Sequence, residues 1–264
     1  PTPTANPVVN MITCDDPGND GSEVFDLSMA NSQVLNGQTP GDFNISFHPS
    51  QNDADMNTGA LATSYASNTT TPETIFVRIE AISNPVCFDT TSFTLTVSEQ
   101  PTAGTGTDVV GCDDISNDGF EEFDFSTQDA AIYNGQNTTD FNVTYHSSLT
   151  DANNDINALS FPYTNTSRSQ TIYARIENAA NQDCYDLSTF GIEVFARPVI
   201  ADQGPYTICA GVAETIDAGP GFSSYLWSTG ETTQTIDVTS GDHYTVTVTN
   251  SAGCDSTATV TFIA

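Results

Sequence analysis

The chain has 264 residues, 4 basic and 34 acidic side chains, no lysine, and a formal net charge of −30. That charge repels polyphosphate backbones and anionic bilayers, so nucleic acid and membrane insertion are excluded as modes of action. Without lysine, a lysine–asparagine isopeptide crosslink is chemically impossible. With 37% hydrophobic residues, 15 Phe and 9 Tyr, the chain is a core-forming sequence rather than a disordered acidic tail.

Residues 1–7, Pro1-Thr2-Pro3-Thr4-Ala5-Asn6-Pro7, read as a proline-stiffened linker. They have neither the basic nor the apolar region of a signal peptide. No run approaches the ~18 apolar residues of a membrane helix. The sequence reads as a fragment of something longer.

The first unit, residues 8–100, opens on Cys14-Asp15-Asp16, Asn19-Asp20-Gly21 and Phe25-Asp26-Leu27-Ser28. Turns are expected at Asn36-Gly37, Pro40-Gly41, Asn68 to Pro72 and Asn84-Pro85. Between them Phe43, Ile45 and Phe47 alternate as one face of a strand. Ile75, Val77 and Ile79 form another such face, and Phe93, Leu95 and Val97 a third. Phe76, Arg78 and Glu80 lie on the opposite face, where Arg78 and Glu80 are expected to pair with neighbouring strands across solvated surface. Only Asp53 to Leu61, with its counterpart Asp151 to Leu159 in the second unit, could be helical, as one short turn.

The second unit, residues 101–198, repeats the first at an offset of 98 and then 97. Cys112-Asp113-Asp114, Asn117-Asp118-Gly119 and Phe123-Asp124-Phe125-Ser126 match the opening. Ile172-Tyr173-Ala174-Arg175-Ile176-Glu177 matches Ile75 to Glu80, and Cys184 matches Cys87. A register held this long marks a tandem duplication. The third unit, residues 199–264, differs. It carries Cys209, Trp227 and Cys254, and the alternating strands Tyr244 to Thr249 and Thr257 to Phe262. The fold class expected is all-β: three tandem Ig-like β-sandwiches, the first two being copies of one repeat.

Six cysteines, two per unit, allow 15 pairings. The repeat selects the set that keeps each bridge inside its unit: Cys14–Cys87, Cys112–Cys184 and Cys209–Cys254. Metal ligation by these cysteines is the competing assignment, and it lacks CxxC pairs and nearby histidines. Disulfides imply an oxidising compartment, hence an extracellular, cell-surface protein.

The acidic loop Asp-Asp-x-x-Asn-Asp-Gly is the sharpest motif. Asp15, Asp16, Asn19 and Asp20, with Glu23 as a late ligand, supply the oxygens that Ca²⁺ requires; Asp113, Asp114, Asn117, Asp118 and Glu121 do so in the second copy. The spacing is not that of an EF-hand. The alternative is an Asx-rich turn, in which these side chains bond their own backbone. His48 and His146 occupy equivalent strand ends, which suits a structural role. No nucleophile, metalloprotease or phosphate-loop motif is present, so no catalytic residue is assigned.

The repeat, with Cys-Asp-Asp…Asn-Asp-Gly…Phe-Asp-Leu and Thr171 to Asn178, resembles repeats in very large surface proteins of gliding, type IX-secreting bacteria. Tyr225-Leu226-Trp227-Ser228-Thr229-Gly230, followed by Tyr244 to Val248 and Gly253-Cys254, resembles the PKD- or Ig-like modules of the same proteins. The resemblance implies an exported stalk or adhesin segment. Its expected partners are a surface polysaccharide or other extracellular target and the neighbouring domains of the same long chain. The competing function is a carbohydrate-binding accessory region of a secreted enzyme, which would use aromatics such as Tyr65, Tyr163, Phe76 and Tyr173.

Overall fold

The computed structural model describes residues 2–263 apart from 68–70, 202–203, 205, 208–211 and 241–242. The first unit contains β1 (Met11–Cys14), β2 (Glu23–Asp26), β3 (Phe43–His48), β4 (Ser64–Ser67), β5 (Glu73–Ala81) and β6 (Asn84–Ser98), with short helices α1 (Asn31–Leu35) and α2 (Gln51–Met56). One sheet runs β1-β6-β5-β3 and the other pairs β2 with β4. Between them lie Ile75, Val77, Ile79, Phe93 and Leu95, all buried, with Phe43 and Phe47 from β3. These are the alternating faces expected from the sequence. Period-2 alternation puts every second side chain into the layer between sheets.

The second unit repeats this with β7 (Val109–Cys112), β8 (Glu122–Phe123), β9 (Phe141–His146), β10 (Tyr163–Thr164), β11 (Ser169–Asn178), β12 (Asn181–Phe195), α3 (Asp129–Tyr133) and α4 (Leu149–Asn154). Its sheets are β7-β12-β11-β9 and β8-β10. In the third unit, β13 (Tyr206–Thr207), β14 (Glu214–Asp217), β15 (Ser224–Trp227), β16 (Thr235–Val238), β17 (His243–Thr249) and β18 (Asp255–Ile263) form sheets β13-β18-β17-β15 and β14-β16. Trp227 is buried in its core. The Tyr244 hydroxyl reaches back to the Ser240 carbonyl at 3.3 Å, the corner contact of Ig-like sandwiches. All three units are β-sandwiches, and each has its own core.

In every unit the first strand runs parallel to the last: β1 along β6, β7 along β12, β13 along β18. This arrangement places the functional cysteines, because it carries the end of the first strand to the far end of the last one.

Three local expectations change. The helix expected at Asp53 to Leu61 starts earlier, at Gln51, because Ser50 caps it: the Asp53 amide donates to Ser50 Oγ at 3.1 Å. It ends at Asn57, whose φ of 52° is left-handed. Asn84-Pro85 opens β6 instead of forming the turn, which falls on Ile82 and Ser83. Arg78 and Glu80 do not reach across a solvated face. The helix α2 covers that face, so the pair is buried and bonds to itself, Nε to Oε2, at 2.8 Å.

Candidate functional site

The cysteines join consecutive units. Cys14 bonds Cys184 and Cys112 bonds Cys254, with Cα–Cα distances of 5.3 and 5.5 Å. Cys87 is free and exposed. This overturns the expected pairs Cys14–Cys87 and Cys112–Cys184, and it removes Cys254 from Cys209, which lies outside the described residues. The reason is strand length. Cys14 lies beside Ser98 at the end of β6, whereas Cys87 lies near the start of the same 15-residue strand. At about 3.3 Å per residue, roughly 36 Å of strand separates those positions. A disulfide spans Cα atoms no more than about 7 Å apart. Cys112, beside Phe195 on β12, is equally remote from Cys184. A cysteine at the trailing pole of one unit therefore meets one at the leading pole of the next.

Around each bridge the same hydrogen bonds recur. The loop amide of Asn19 clamps the outgoing linker at two points: its Nδ2 donates to the Gln100 carbonyl at 2.8 Å, and its Oδ1 accepts from the Gln100 amide at 2.9 Å. Asn117 does the same to Arg197, at 3.1 and 2.9 Å. The clamped residue then reaches into the next unit. Gln100 Nε2 donates to the Tyr185 carbonyl at 2.7 Å, and Arg197 Nη1 donates to the Asp255 carbonyl at 2.7 Å. Each acceptor directly follows the bridged cysteine. Asn178 and Asn250 return the contact, donating to the carbonyls of Glu99 and Ala196 at 3.0 and 2.8 Å. One junction design thus serves two different downstream units. Sequence reasoning took Asn19 and Asn117 for cation ligands and missed Gln100, Asn178, Arg197 and Asn250; the clamp bonds linker backbone, so the side chains at 100 and 197 share no sequence signal.

The acidic loops are first of all turns. Asp16 accepts from the Gly18 amide, Asp20 from Ser22, Asp114 from Ser116 and Asp118 from Phe120. The hydroxyl and amide of Ser116 hold the Asp114 carboxyl below the usual range. In the first copy Asp15 spends one oxygen on the Asp16 amide and the other on the Gly21 amide. The second copy differs. Asp113 is fully buried; its Oδ2 accepts from Gly119 at 2.7 Å and meets Arg168 Nη2 at 3.1 Å, while Oδ1 has no partner. Ligand oxygens of Asp113, Asp114 and Glu121 lie within 4.8 Å of one another. A buried carboxylate oxygen without a donor fits a hard cation. Both polar atoms of the Asn117 side chain are spent on the linker, and Asp118 lies outside this group; Glu23 and its neighbours in the first copy form no equivalent group among the described residues.

Two other groups are structural. His48 Nδ1 lies 2.7 Å from the Thr58 carbonyl and His146 Nδ1 2.9 Å from that of Ile156, which ties each strand end to the loop after the helix. Tyr65 and Tyr163 pack against their cores rather than forming an exposed aromatic row.

Residues 10–101 and 108–198 each match the family model of the Flavobacterium inter-domain disulphide bond domain. No curated protein matches the chain. Solved structures similar to it include Sidekick-1 immunoglobulin domains 1–5, at 8% identity and a TM-score of 0.33, covering 97% of this chain and 57% of that one. The eight N-terminal Ig domains of Down syndrome cell adhesion molecule give 11% and 0.35, over 92% and 37%. At these scores the alignments carry no functional argument.

Proposed function

We propose that this chain, which belongs to the Flavobacterium inter-domain disulphide bond domain family, is a non-catalytic, load-bearing stalk segment of a larger adhesin displayed on the cell surface. The observation that carries this reading is the pair of interleaved bridges between units. A bridge inside a unit stabilises that unit; a bridge between units stabilises their relation. Sequence separations of 170 and 142 mean that each closes a long loop, which on the chain-entropy model contributes about 5 kcal/mol against unfolding. The bridges also shorten the covalent path. A pull on both ends travels through residues 1–14, crosses to Cys184, and continues to Cys254 either forward along the chain or, over a nearly equal length, back to Cys112 and across its bridge; residues 15–111 are bypassed. The acidic surface keeps such stalks soluble and mutually repelling. The stalk would hold terminal domains away from the cell, toward a polysaccharide or other extracellular target.

Calcium enters this reading at the second unit only. Asp113 Oδ1, Asp114 and Glu121 would hold it, and it would neutralise carboxylates beside the loop that clamps the second junction.

Single-molecule pulling tests the load-bearing role. The oxidised chain should stop near roughly 30 nm and the reduced chain near roughly 90 nm, at about 3.4 Å per residue of free path. An oxidised chain that extends to roughly 90 nm would remove the role.

A further inference from the structure

Four large apolar side chains left in solvent gather in one place. Val9, Ile12, Val24 and Met29 are 72%, 54%, 64% and 69% exposed, and all four line one cleft between β1 and β2. The second unit keeps the frame but not the patch: Thr107, Val110, Glu122 and Thr127 stand at the equivalent positions. A frame that folds with polar groups at three of these places does not need the apolar ones for folding. Exposed apolar surface gathered along a groove marks a docking site.

The two walls define what docks. β1 is the last strand of the sheet β1-β6-β5-β3, and β2 has β4 on one side only. Among the described residues neither strand has a neighbour on its outer edge. An edge strand presents a row of N–H and C=O groups at the spacing of another strand, which an extended polypeptide matches and a lipid tail does not. At one end a side chain already takes such a place: the Val9 amide donates to Gln33 Oε1 at 2.9 Å. Charge narrows the occupant further. The first unit has one arginine, Arg78, which is buried in its ion pair, so every charged side chain on its surface is acidic. Glu23 and Asp26 flank Val24 on β2, and Asp15 and Asp16 follow β1. A second copy of this chain brings a net charge of −30 of its own and is repelled, whereas a basic segment is drawn in.

We infer that the β1–β2 cleft of the first unit docks an extended strand of another protein, one that alternates apolar residues with lysine or arginine. Side chains of a strand point alternately to its two faces. The apolar set fills the cleft against Val9, Ile12, Val24 and Met29, and the basic set meets the acidic rim at Glu23 and Asp26. The backbone pairs with the open edges, so the recognition is strand addition. Lysine is absent from this chain and its four arginines are scattered, so no segment of the chain itself has that composition. The contact is lateral, and it is separate from the end-to-end junctions that carry load.

The test uses the intact oxidised chain and two fluorescein-labelled peptides, one alternating valine with lysine and the other serine with lysine, so that charge and length are equal. Fluorescence anisotropy should show the valine peptide binding about tenfold tighter or more, the ratio that burying one apolar side chain supplies. Added salt should weaken both and keep their order. Hydrogen exchange should slow at residues 11–13 and 23–26 when the valine peptide is bound. Val24→Glu combined with Met29→Thr gives the first unit the residues that the second carries at 122 and 127. This variant should still form the Cys14–Cys184 bridge, and its preference for valine should vanish. If that bridge fails to form, Met29→Thr alone carries the test and should reduce the preference. Equal affinity for the two peptides, a preference unchanged in the substituted chain, or protection elsewhere would each overturn the inference. A chain that sediments as a dimer without peptide, and as a monomer once substituted, would overturn it in favour of a second copy.

Discussion

The first and second units are copies of one repeat, and three of their differences bear on what each copy does. The shared part is the frame. Arg78 and Arg175 each bond the carboxylate two residues on, at 2.8 Å in both. Each also donates to a helix carbonyl, Ala54 or Ala152, at 3.0 Å, and lies over a ring, Phe88 at 3.6 Å or Tyr185 at 3.7 Å. The differences are the cysteine, free in one copy and bonded in the other; the loop carboxylate, closed at Asp15 and open at Asp113; and one core position, Phe47 against Tyr145. The repeat fixes how a unit folds, and the divergent residues track what each copy faces.

The largest effect should come from the frame. Arg175→Ala leaves Glu177 buried and uncompensated, and removing one partner of such a pair costs about 3–5 kcal/mol. Arg78→Ala should cost the same within about 1 kcal/mol, since the two clusters coincide. Urea unfolding of both variants checks this. A loss under 1 kcal/mol for Arg175→Ala would remove the ion pair from the account of the frame.

Calcium should separate the copies. At a hundredfold excess over its dissociation constant, a cation bound only by the folded state adds about 2.7 kcal/mol. Asp113→Asn should abolish that gain in thermal unfolding and Asp15→Asn should preserve it. Equal losses would erase the asymmetry between the two loops.

Alkali should separate them next. Burial, then the hydrogen bond and charge of Asp129, push the Tyr145 hydroxyl far above its usual range. The Tyr65 hydroxyl, which donates to Glu73, is raised to about 12, chiefly by that bond. A raised folded pKa means the folded state holds its proton longer. The stability each contributes is complete below pH ~10 and is lost as pH rises through the folded value. Tyr145→Phe should flatten the fall in urea midpoint between pH ~10 and ~12 for the second unit and leave the slope of the first unchanged.

The smallest effect is a gain. In the second unit the Tyr145 hydroxyl donates to Asp129 at 2.6 Å; in the first, Asn31 stands at the Asp129 position with its Oδ1 buried and unpartnered. Phe47→Tyr should supply the missing donor and stabilise the first unit by about 1 kcal/mol. A lower melting temperature in this variant would show that the ring position lacks room for the hydroxyl.

The strands were legible because alternation is a local signal: Ile75, Val77 and Ile79 are each buried, as their spacing requires. The repeat was legible for the same reason. The cysteine partners were not, because pairing depends on which pole of the sandwich each residue reaches. That follows from the parallel register of β1 on β6 and from the unbroken length of β6. The run from Cys87 to Val97 has no glycine, proline or asparagine to break it, and counting it as strand would have put Cys87 and Cys14 at opposite poles. The buried Arg78–Glu80 pair was hidden because a six-residue helix, too short to show periodicity, covers it. The loop carboxylates read alike in both copies, and only their hydrogen-bond partners distinguish Asp15 from Asp113.

The most direct measurement is non-reducing peptide mapping of the oxidised 264-residue chain. Peptides joining Cys14 to Cys184 and Cys112 to Cys254, with Cys87 alkylatable, are the predicted result. Peptides joining Cys14 to Cys87 or Cys112 to Cys184 would contradict the central claim that the covalent bonds lie between the units rather than within them.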